Sequence, residues 1–209
     1  MDLAKINKEL KEKSPVDIIR WVLSLKKKAI LTTNFGPHEA AIIHMALQVD
    51  PRIPVVWIDS GYNTKATYTF AHKLITDLHL NMQIYIPRLT KAYRDVVMGG
   101  TPDITNPHHE DFTSQVKLEP FERVLKELKP EVWLTAIRKD QTAFRQSLDI
   151  LTEDKERGLL KVAPVFYWNE AELEEYLKKN RLPIEKDYFD PTKVLEHREC
   201  GLHVGKKKT

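Results

Sequence analysis

The sequence predicts an α/β fold: a doubly wound, mostly parallel sheet of five or more strands with helices on both faces. Short apolar runs alternate with longer amphipathic segments over most of the 209 residues. Strands that alternate with helices of this length form crossover units around a parallel sheet. The composition, 42% hydrophobic and 30% charged, is that of an ordinary globular protein, and the chain is long enough for a full hydrophobic core.

Each element has a local reason. Ser14 and Pro15 suit the cap and the first turn of a helix that continues as IIRWVLSL, and Asn169 suits the cap of NEAELEEYLKK. Buried strands are predicted at 29–35, 55–59, 82–87, 132–137 and 161–168, with helices at 39–49, 64–79 and 119–129. Residues 98–116 show no clear periodicity, so we predict a long loop there, of the kind that often serves as a functional lid.

No repeat or low-complexity segment divides the chain. We therefore predict one domain over 1–209, with N-terminal helices within 1–28 and a mobile C-terminal tail over 186–209. The net charge is only +3, and the KKK runs at 26–28 and 206–208 are typical of solvated surface. Nucleic-acid binding would require a basic face with interleaved aromatic residues, which the sequence lacks.

The sequence also predicts a compartment. No apolar run approaches the ~18–20 residues that span a bilayer, and the N-terminal MDLAKINKELKEK has no signal-peptide core. One cysteine cannot form an internal disulfide, and it cannot supply a Cys-only zinc or iron–sulfur site. We therefore expect a cytoplasmic protein that binds neither membrane nor a resident metal.

The single cysteine, Cys200, lies in the predicted tail beside Arg198, Glu199 and His203. A lone cysteine usually behaves as a small buried hydrophobe. This one lies among charged residues near the end of the sequence, where chains are usually exposed. The setting favours a reactive thiol.

Three turns are expected at the carboxyl ends of the strands, where ligands bind in such a sheet. In TTNFGPHEA (32–40), Gly36 allows a tight turn before a helix start whose free N–H groups attract an anion. In WIDSGYNT (57–64), Asp59 could bind a sugar hydroxyl or an amine, or the turn could simply cap a helix through Ser60 or Asn63. AIRKDQTAFRQSL (136–148) places three cations after the fourth strand, where they suit a phosphate or sulfate or form an exposed helix face: Arg138, Lys139 and Arg145.

These segments resemble, in collinear order, the thioredoxin-dependent phosphoadenylyl-sulfate (PAPS) reductases of the adenine nucleotide alpha-hydrolase-like superfamily. RECGLH (198–203) is similar to that family's nucleophile motif, and IDSGY (58–62) resembles its D-T-G-Y turn. VKLEPFERVLKEL (116–128) resembles the K-V-E-P segment, and AIRKDQTAFRQSL resembles G-L-R-R-E-Q-S-x-x-R. The segment KVAPVFYWNEAELEEYLKKNRLP also has a counterpart in the family, so the resemblance runs from about residue 15 to 205.

The resemblance implies roles at the matching positions. Thr33, Asn34, Phe35 and Gly36 correspond to the phosphate loop, and Asp59 and Gly61 would lie by the adenosine. The phosphates and sulfate would contact four cations: Lys117, Arg138, Lys139 and Arg145. Cys200 would be the nucleophile, with His203 close by.

The implied reaction reduces PAPS to sulfite and adenosine 3′,5′-bisphosphate in sulfate assimilation, through an S-sulfocysteine. Because the sequence has no second cysteine, an external dithiol must release the sulfite: thioredoxin or glutaredoxin. The paired cysteines that hold an iron–sulfur cluster in adenylyl-sulfate reductases of the family are missing here, so PAPS is favoured over adenylyl sulfate. The family also implies a homodimer.

Two features depart from the family's pattern, and two other functions remain open. Asn34 stands where the family commonly has Ser, and only IEKDYFDPTKVLEH separates Pro183 from Arg198, where the family has a longer segment. A repurposed homologue that binds an adenine nucleotide is one alternative. The other is a metal-binding module built on His197, Cys200 and His203.

Overall fold

The computed structural model describes residues 1–103 and 105–192. The predictions that concern Cys200, His203 and His197 lie outside these residues. Among the helices of the described part, none combines the length and the apolar character that crossing a membrane requires.

The described chain forms a six-stranded sheet flanked by helices. The helices, including one turn of π-helix and one of 3-10 helix, are α1 (Leu3–Leu10), α2 (Pro15–Ser24), α3 (Glu39–Leu47), α4 (Lys65–Asp77), α5 (Lys91–Met98), α6 (His109–Thr113), the π turn (Ser114–Leu118), α7 (Glu119–Leu128), the 3-10 turn (Arg145–Ser147) and α8 (Glu170–Lys179). The strands are β1 (Ala29–Thr33), β2 (Val55–Ile58), β3 (Met82–Tyr85), β4 (Val132–Leu134), β5 (Leu151–Asp154) and β6 (Leu159–Val162).

The strand order is β3-β2-β1-β4-β6-β5. Every neighbouring pair is parallel except β5 and β6, which form an antiparallel hairpin. From β1 the chain winds outward through β2 to β3, and it then returns to β4 on the other side of β1. The winding reverses between β1 and β4, and in open sheets of this kind a ligand crevice forms at that point.

Helices cover both faces of the sheet, which confirms the predicted fold class. On one face, α2, α3 and α8 contribute Ile19, Ile42 and Leu173 to one core cluster that also contains Leu31 of β1. On the other face, Phe121 and Val124 of α7 pack against Trp133. The predicted caps are present: the Ser14 side chain accepts a hydrogen bond from the Asp17 N–H, and Asn169 forms a capping box with Glu172.

Three predictions of local structure were wrong. The predicted loop at 98–116 contains α6 and most of the π turn, because Phe112 and Val116 form an i, i+4 apolar pair that packs against Tyr62. Short α5 was not predicted, although Thr90 caps its start and Gly99 ends it in the left-handed region, at φ 73°. The fifth strand, predicted at 161–168, is β6, which begins at Leu159 and ends at Val162. The sheet also contains β5, an antiparallel edge strand that was not predicted.

Candidate active site at the carboxyl end of the sheet

A cavity of about 220 Å³ opens at the carboxyl ends of β1 and β4, at the point where the winding reverses. Of the ten predicted substrate-binding residues, six line it: Thr33, Asn34, Gly36, Lys117, Arg138 and Arg145. The other four, Phe35, Asp59, Gly61 and Lys139, are not among its lining residues.

The turn after β1 is held by its own side chains. Thr33 Oγ1 accepts a hydrogen bond from the Phe35 N–H at 3.0 Å, and Asn34 Oδ1 accepts one from the Gly36 N–H at 2.9 Å. A Cβ at Gly36 would lie 2.9 Å from Asn34 Oδ1, so any other residue there would displace the Asn34 side chain from its hydrogen bond. The turn is therefore tight enough to bring its backbone close to a ligand.

Phe35 does not line the cavity because its ring is fully buried in the core, edge-on to Trp57 at a centroid distance of 4.9 Å. Its backbone is in the left-handed region, at φ 53°, which is rare for a bulky residue. The packing of the ring in the core sustains this conformation, so Phe35 anchors the turn to the core and fixes its shape.

His38 occupies the N-cap position of α3, where no side chain of the described residues caps the helix. The N–H groups of an uncapped helix start attract anions. The imidazole lines the cavity, and its pKa lies below 6.5 because of burial and the positive charge of Arg138. Two carboxylates of α8 raise the pKa of His38, but by less than burial and Arg138 lower it. Their oxygens, on Glu170 and Glu174, lie 3.8 and 4.0 Å from His38 Nε2.

Two nearly buried guanidinium groups line the cavity. Arg138 is 8% exposed and Arg145 is 5% exposed. Arg145 donates a short hydrogen bond to Gln141 Oε1, which also accepts from the Arg138 N–H at 2.9 Å. Arg138 Nε contacts Asp140, a partly exposed carboxylate, at 3.2 Å. A guanidinium group is a planar donor whose geometry matches phosphate and sulfate oxygens, so two of them beside one cavity suit an anionic ligand.

Lys117 enters the cavity from the π turn before α7. Its ammonium lies 2.5 Å from Asp190 Oδ2 and 3.1 Å from Thr192 Oγ1. Both charged side chains are largely buried, at 13% and 8% exposed. Tyr188, in the same segment as Asp190, also lines the cavity and lies 3.8 Å from the Cβ position of Gly36. The first residues of the predicted tail, which begins at residue 186, therefore lie against the cavity.

Asp59 organises the turn after β2. Its Oδ1 accepts hydrogen bonds from the Gly61 N–H at 2.9 Å, from Asn63 Nδ2 at 2.9 Å and from the Tyr68 hydroxyl at 2.8 Å. Burial, together with the bond to Asp59, raises the pKa of Tyr68 to about 12, so this hydroxyl stays a donor. Gly61, at φ 82°, supplies the left-handed residue of the turn.

Helix α4, which follows this turn, is capped by Thr64. The alternative interpretation of this turn, in which Ser60 or Asn63 caps the helix, was therefore wrong. A role for Asp59 and Gly61 beside an adenosine remains a prediction.

Lys139 points to a different place from Arg138. Its ammonium lies 5.6 Å from the centroid of the Tyr167 ring, and it lines a second cavity of about 300 Å³ together with Tyr167 and Trp168. Adjacent residues in a turn commonly face opposite directions, so the charge run of the sequence is divided between two surfaces. The predicted contact of Lys139 with the phosphates therefore has no support from the cavity geometry.

Several lining residues were not predicted as site residues. Three of them, Thr135, His38 and Gln141, lie in or beside the turns at 32–40 and 136–148. A polar side chain in or beside a turn predicted to bind a ligand was the sequence feature that could have identified them. Tyr188 lies far along the chain in a segment without a motif, so nothing in the sequence pointed to it.

One group of potential metal ligands occurs among the described residues: His38, Glu170 and Glu174, whose ligand atoms lie within 4.8 Å of one another. An imidazole and two carboxylates are donors that zinc accepts. The two carboxylates are exposed, and exposed acidic groups are common without a metal, so the group by itself does not indicate a metal site.

Comparison with known proteins decides the family. The family model of the phosphoadenosine phosphosulfate reductase domain matches residues 28–190. The chain belongs to this family. It is 34% identical over 185 residues to the phosphoadenosine 5′-phosphosulfate reductase of Synechococcus, with 87% of this chain and 78% of that one covered. It is also 34% identical over 229 aligned residues to the Synechocystis enzyme of the same name, with 98% and 91% covered.

Among solved structures, this member of the reductase family resembles the PAPS reductase of Candida auris in a phosphate complex. The TM-score is 0.77, the identity is 25%, and the match covers 87% of each chain. The Synechocystis alignment is longer than the 209 residues of this chain, so that relative contains segments that have no counterpart here.

Proposed function

We propose that this protein reduces 3′-phosphoadenylyl sulfate to sulfite and adenosine 3′,5′-bisphosphate, as a step of sulfate assimilation. Cys200 is the nucleophile, an S-sulfocysteine is the intermediate, and reduced thioredoxin, or a glutaredoxin, is the electron donor. The observation that carries the proposal is the convergence of Lys117, Arg138 and Arg145 on one cavity in a chain of this family.

The chemistry of the cavity supports an anionic nucleotide. The arginines supply planar donor groups that match phosphate and sulfate oxygens, and the α3 start adds backbone N–H groups. The structural relative from Candida auris is described as a phosphate complex. Positive charge at this point would stabilise the negative charge that develops on the leaving phosphate as the sulfate group departs.

The proposed cycle has two stages, transfer of the sulfo group to Cys200 and its release as sulfite. The Cys200 thiolate attacks the sulfur of the sulfate group, and the bond between that sulfur and the phosphate oxygen breaks, which releases adenosine 3′,5′-bisphosphate. A thioredoxin thiolate then attacks Cys200 Sγ and displaces sulfite. The second thioredoxin thiol closes the thioredoxin disulfide and restores Cys200, so the dithiol supplies both electrons. His203 would lie close to the thiolate.

The cysteine count supports the finer parts of the proposal. With one cysteine in the sequence, the resolving thiol must come from outside, and a cluster held by four cysteines has no ligands here. We therefore propose PAPS rather than adenylyl sulfate as substrate, and a reaction without a bound cofactor. The cycle needs Cys200 as a free thiol, which the cytoplasm maintains.

We also propose a homodimer, formed by a second copy of this chain at the β3 edge of the sheet. Apolar side chains are exposed in β3 and in the segment through α5, among them Ile84, Ile86, Tyr93, Val96 and Val97. The backbone carbonyls of Asn81 and Tyr85 accept hydrogen bonds from the Val55 and Asp59 N–H groups, so the carbonyls of Met82 and Ile84, which alternate with this row, point away from β2. No charge interrupts 82–86, and an open apolar edge of this kind pairs readily with its own copy.

Mass spectrometry of the intact protein tests the proposed reaction. After incubation with PAPS in the absence of reductant, one sulfo group should be added, and reduced thioredoxin should remove it with stoichiometric release of sulfite. Cys200→Ser is the matched control: it should form no adduct and release no sulfite, while it still binds adenosine 3′,5′-bisphosphate. A Cys200→Ser variant that still turns over would exclude the mechanism.

The same experiment separates the alternatives. Tight binding of adenosine 3′,5′-bisphosphate without an adduct would favour the repurposed nucleotide-binding homologue. An adduct formed equally well from adenylyl sulfate would remove the preference for PAPS. Stoichiometric zinc that is lost from the Cys200→Ser variant would favour the metal-binding module.

A further inference from the structure

Thr135 carries a hydroxyl that has no hydrogen-bond partner among the described residues. The residue is 2% exposed and lines the candidate active site. Its backbone N–H donates to the Val162 carbonyl at 2.9 Å, so the ladder between β4 and β6 fixes its position. The side chain therefore holds a buried polar atom at the cavity wall that none of the described residues satisfies.

A buried hydroxyl without a partner lowers stability, and most buried polar groups in proteins are paired. In contrast to Thr135, the hydroxyl of the nearby Thr32 has a partner. Thr32 Oγ1, in the neighbouring strand, accepts a hydrogen bond from Trp133 Nε1 at 2.8 Å. An unpaired hydroxyl that faces a ligand cavity is explained when the ligand supplies the partner.

The surroundings indicate which part of a ligand would reach Thr135. Because side chains alternate along a strand, Thr135 lies on the same face as Trp133, where Ile58 also packs. These side chains and Thr32 carry no charge. Lys117 also borders the cavity, but its ammonium is paired with Asp190.

The two arginines belong to the loop after β4, where the Arg138 guanidinium contacts Asp140. The Arg138 backbone and the Arg145 side chain both bond to Gln141, three to four residues along the same loop. The cavity thus has a charged part for anions and a neutral part with hydroxyl groups. A neutral hydroxyl suits an uncharged polar atom of the ligand.

We propose that the Thr135 hydroxyl hydrogen-bonds to the uncharged nucleoside part of the nucleotide, and so acts as a specificity-determining residue for it. The inference rests on the proposed function, because it takes the ligand to be a nucleotide. Removing the hydroxyl then weakens nucleotide binding without lowering stability, since the free protein loses only an unsatisfied group.

The experiment measures affinity by calorimetry and unfolding temperature for the full chain and three variants. Thr135→Val removes the hydroxyl and keeps the shape, and Thr135→Ser keeps the hydroxyl. Thr113→Val is the matched control, because Thr113 Oγ1 is also buried without a partner in the described structure but lies outside the cavity. The probes are adenosine 3′,5′-bisphosphate and inorganic pyrophosphate, which has no nucleoside.

Thr135→Val should weaken binding of the bisphosphate about tenfold, the order of one hydrogen bond, and leave pyrophosphate affinity unchanged. Thr135→Ser should stay within about threefold of the wild type, and the unfolding temperature of Thr135→Val should be unchanged or higher. Unchanged bisphosphate affinity in Thr135→Val, or an equal loss for pyrophosphate, overturns the inference. A wild-type protein that binds no bisphosphate overturns the proposed function instead.

Discussion

Lys117 and Asp190 form a largely buried ion pair, with Nζ 2.5 Å from Oδ2, between the π turn before α7 and the segment that leads into residues 193–209. Lys117 is also a cavity-lining cation, so a bound phosphate and Asp190 would compete for the same ammonium. Binding of the nucleotide and the position of the segment at Asp190 are therefore linked through one charge.

Asp190→Asn tests this competition. The substitution should strengthen binding of adenosine 3′,5′-bisphosphate about threefold to tenfold, because the ammonium is no longer shared with a carboxylate. It should also lower the unfolding temperature, since removal of one partner leaves a buried charge without its counter-charge. Asp187→Asn, at an exposed position in the same segment, is the control and should change neither quantity. Weaker binding in Asp190→Asn would mean that Asp190 positions Lys117 for the ligand.

Arg145→Ala tests the charged part of the cavity. The bond between Arg145 and a phosphate is charge-assisted and worth ~1.5–3 kcal/mol, so bisphosphate affinity should fall by roughly tenfold or more. Lys139→Ala is the control, because Lys139 lies beside Tyr167 in the other cavity. The affinity of this variant for the bisphosphate should stay within about twofold of the wild type. If calorimetry shows the same affinity for Arg145→Ala and the wild type while the unfolding temperature drops, Arg145 is structural.

Substrate choice tests the proposed branch. A site that pairs the 3′-phosphate leaves buried cations unpaired when this dianion is absent, so kcat/KM should be at least about a hundredfold higher for PAPS than for adenylyl sulfate. The purified protein should be colourless and contain no stoichiometric iron. Comparable kcat/KM values would show that the missing cysteine pairs do not predict the substrate.

The pKa of His38 predicts how stability depends on pH. Burial and Arg138 hold this pKa below 6.5, so the unfolded chain binds the proton more readily than the folded chain does. The contribution of His38 to stability is therefore complete above pH 6.5 and is lost as the pH falls below that value. Between pH 7.5 and 5.5 the unfolding temperature should drop less in His38→Gln than in the wild type.

His44, whose pKa is also lowered by burial, accounts for part of the dependence that remains in that variant. His72→Gln, at an exposed position on α4, should follow the wild type over the whole pH range. An identical slope for His38→Gln and the wild type would contradict the assignment to His38.

The proposed dimer is tested at Val96, which is 82% exposed on α5. Val96→Lys introduces a charge into the apolar surface and should shift the mass measured by light scattering from dimer to monomer at micromolar concentration. Ala66→Lys, on the exposed side of α4, should leave the mass unchanged. A wild-type protein that is monomeric at all concentrations would remove the proposal.

The α/β class, the helix starts at Ser14 and Asn169, and four of the six strands could be predicted because each depends on short-range patterns. A capping side chain bonds two or three residues along the chain, and a buried strand is a short apolar run. β5 was missed because its sequence, LTED, is mostly polar, and an edge strand of that kind has a weak pattern.

The candidate site could be predicted only in part, because only some of its features depend on short-range patterns. The turn at Thr33–Gly36 and the run at 138–145 are local, and the sequence placed them at the ligand edge of the sheet. Which cations share a cavity depends on side-chain direction, and neighbouring Arg138 and Lys139 face different cavities.

The sequence by itself determined the fold class, the family and the residue types that can bind an anionic nucleotide, because these follow from periodicity and from motifs in collinear order. The tertiary structure decided that Phe35 is buried under the turn, that Lys117 pairs with a carboxylate 73 residues away, and that Thr135 lies at the cavity wall beside β6. These contacts join segments that are distant in sequence, and only the packing of the sheet and its helices brings them within bonding distance.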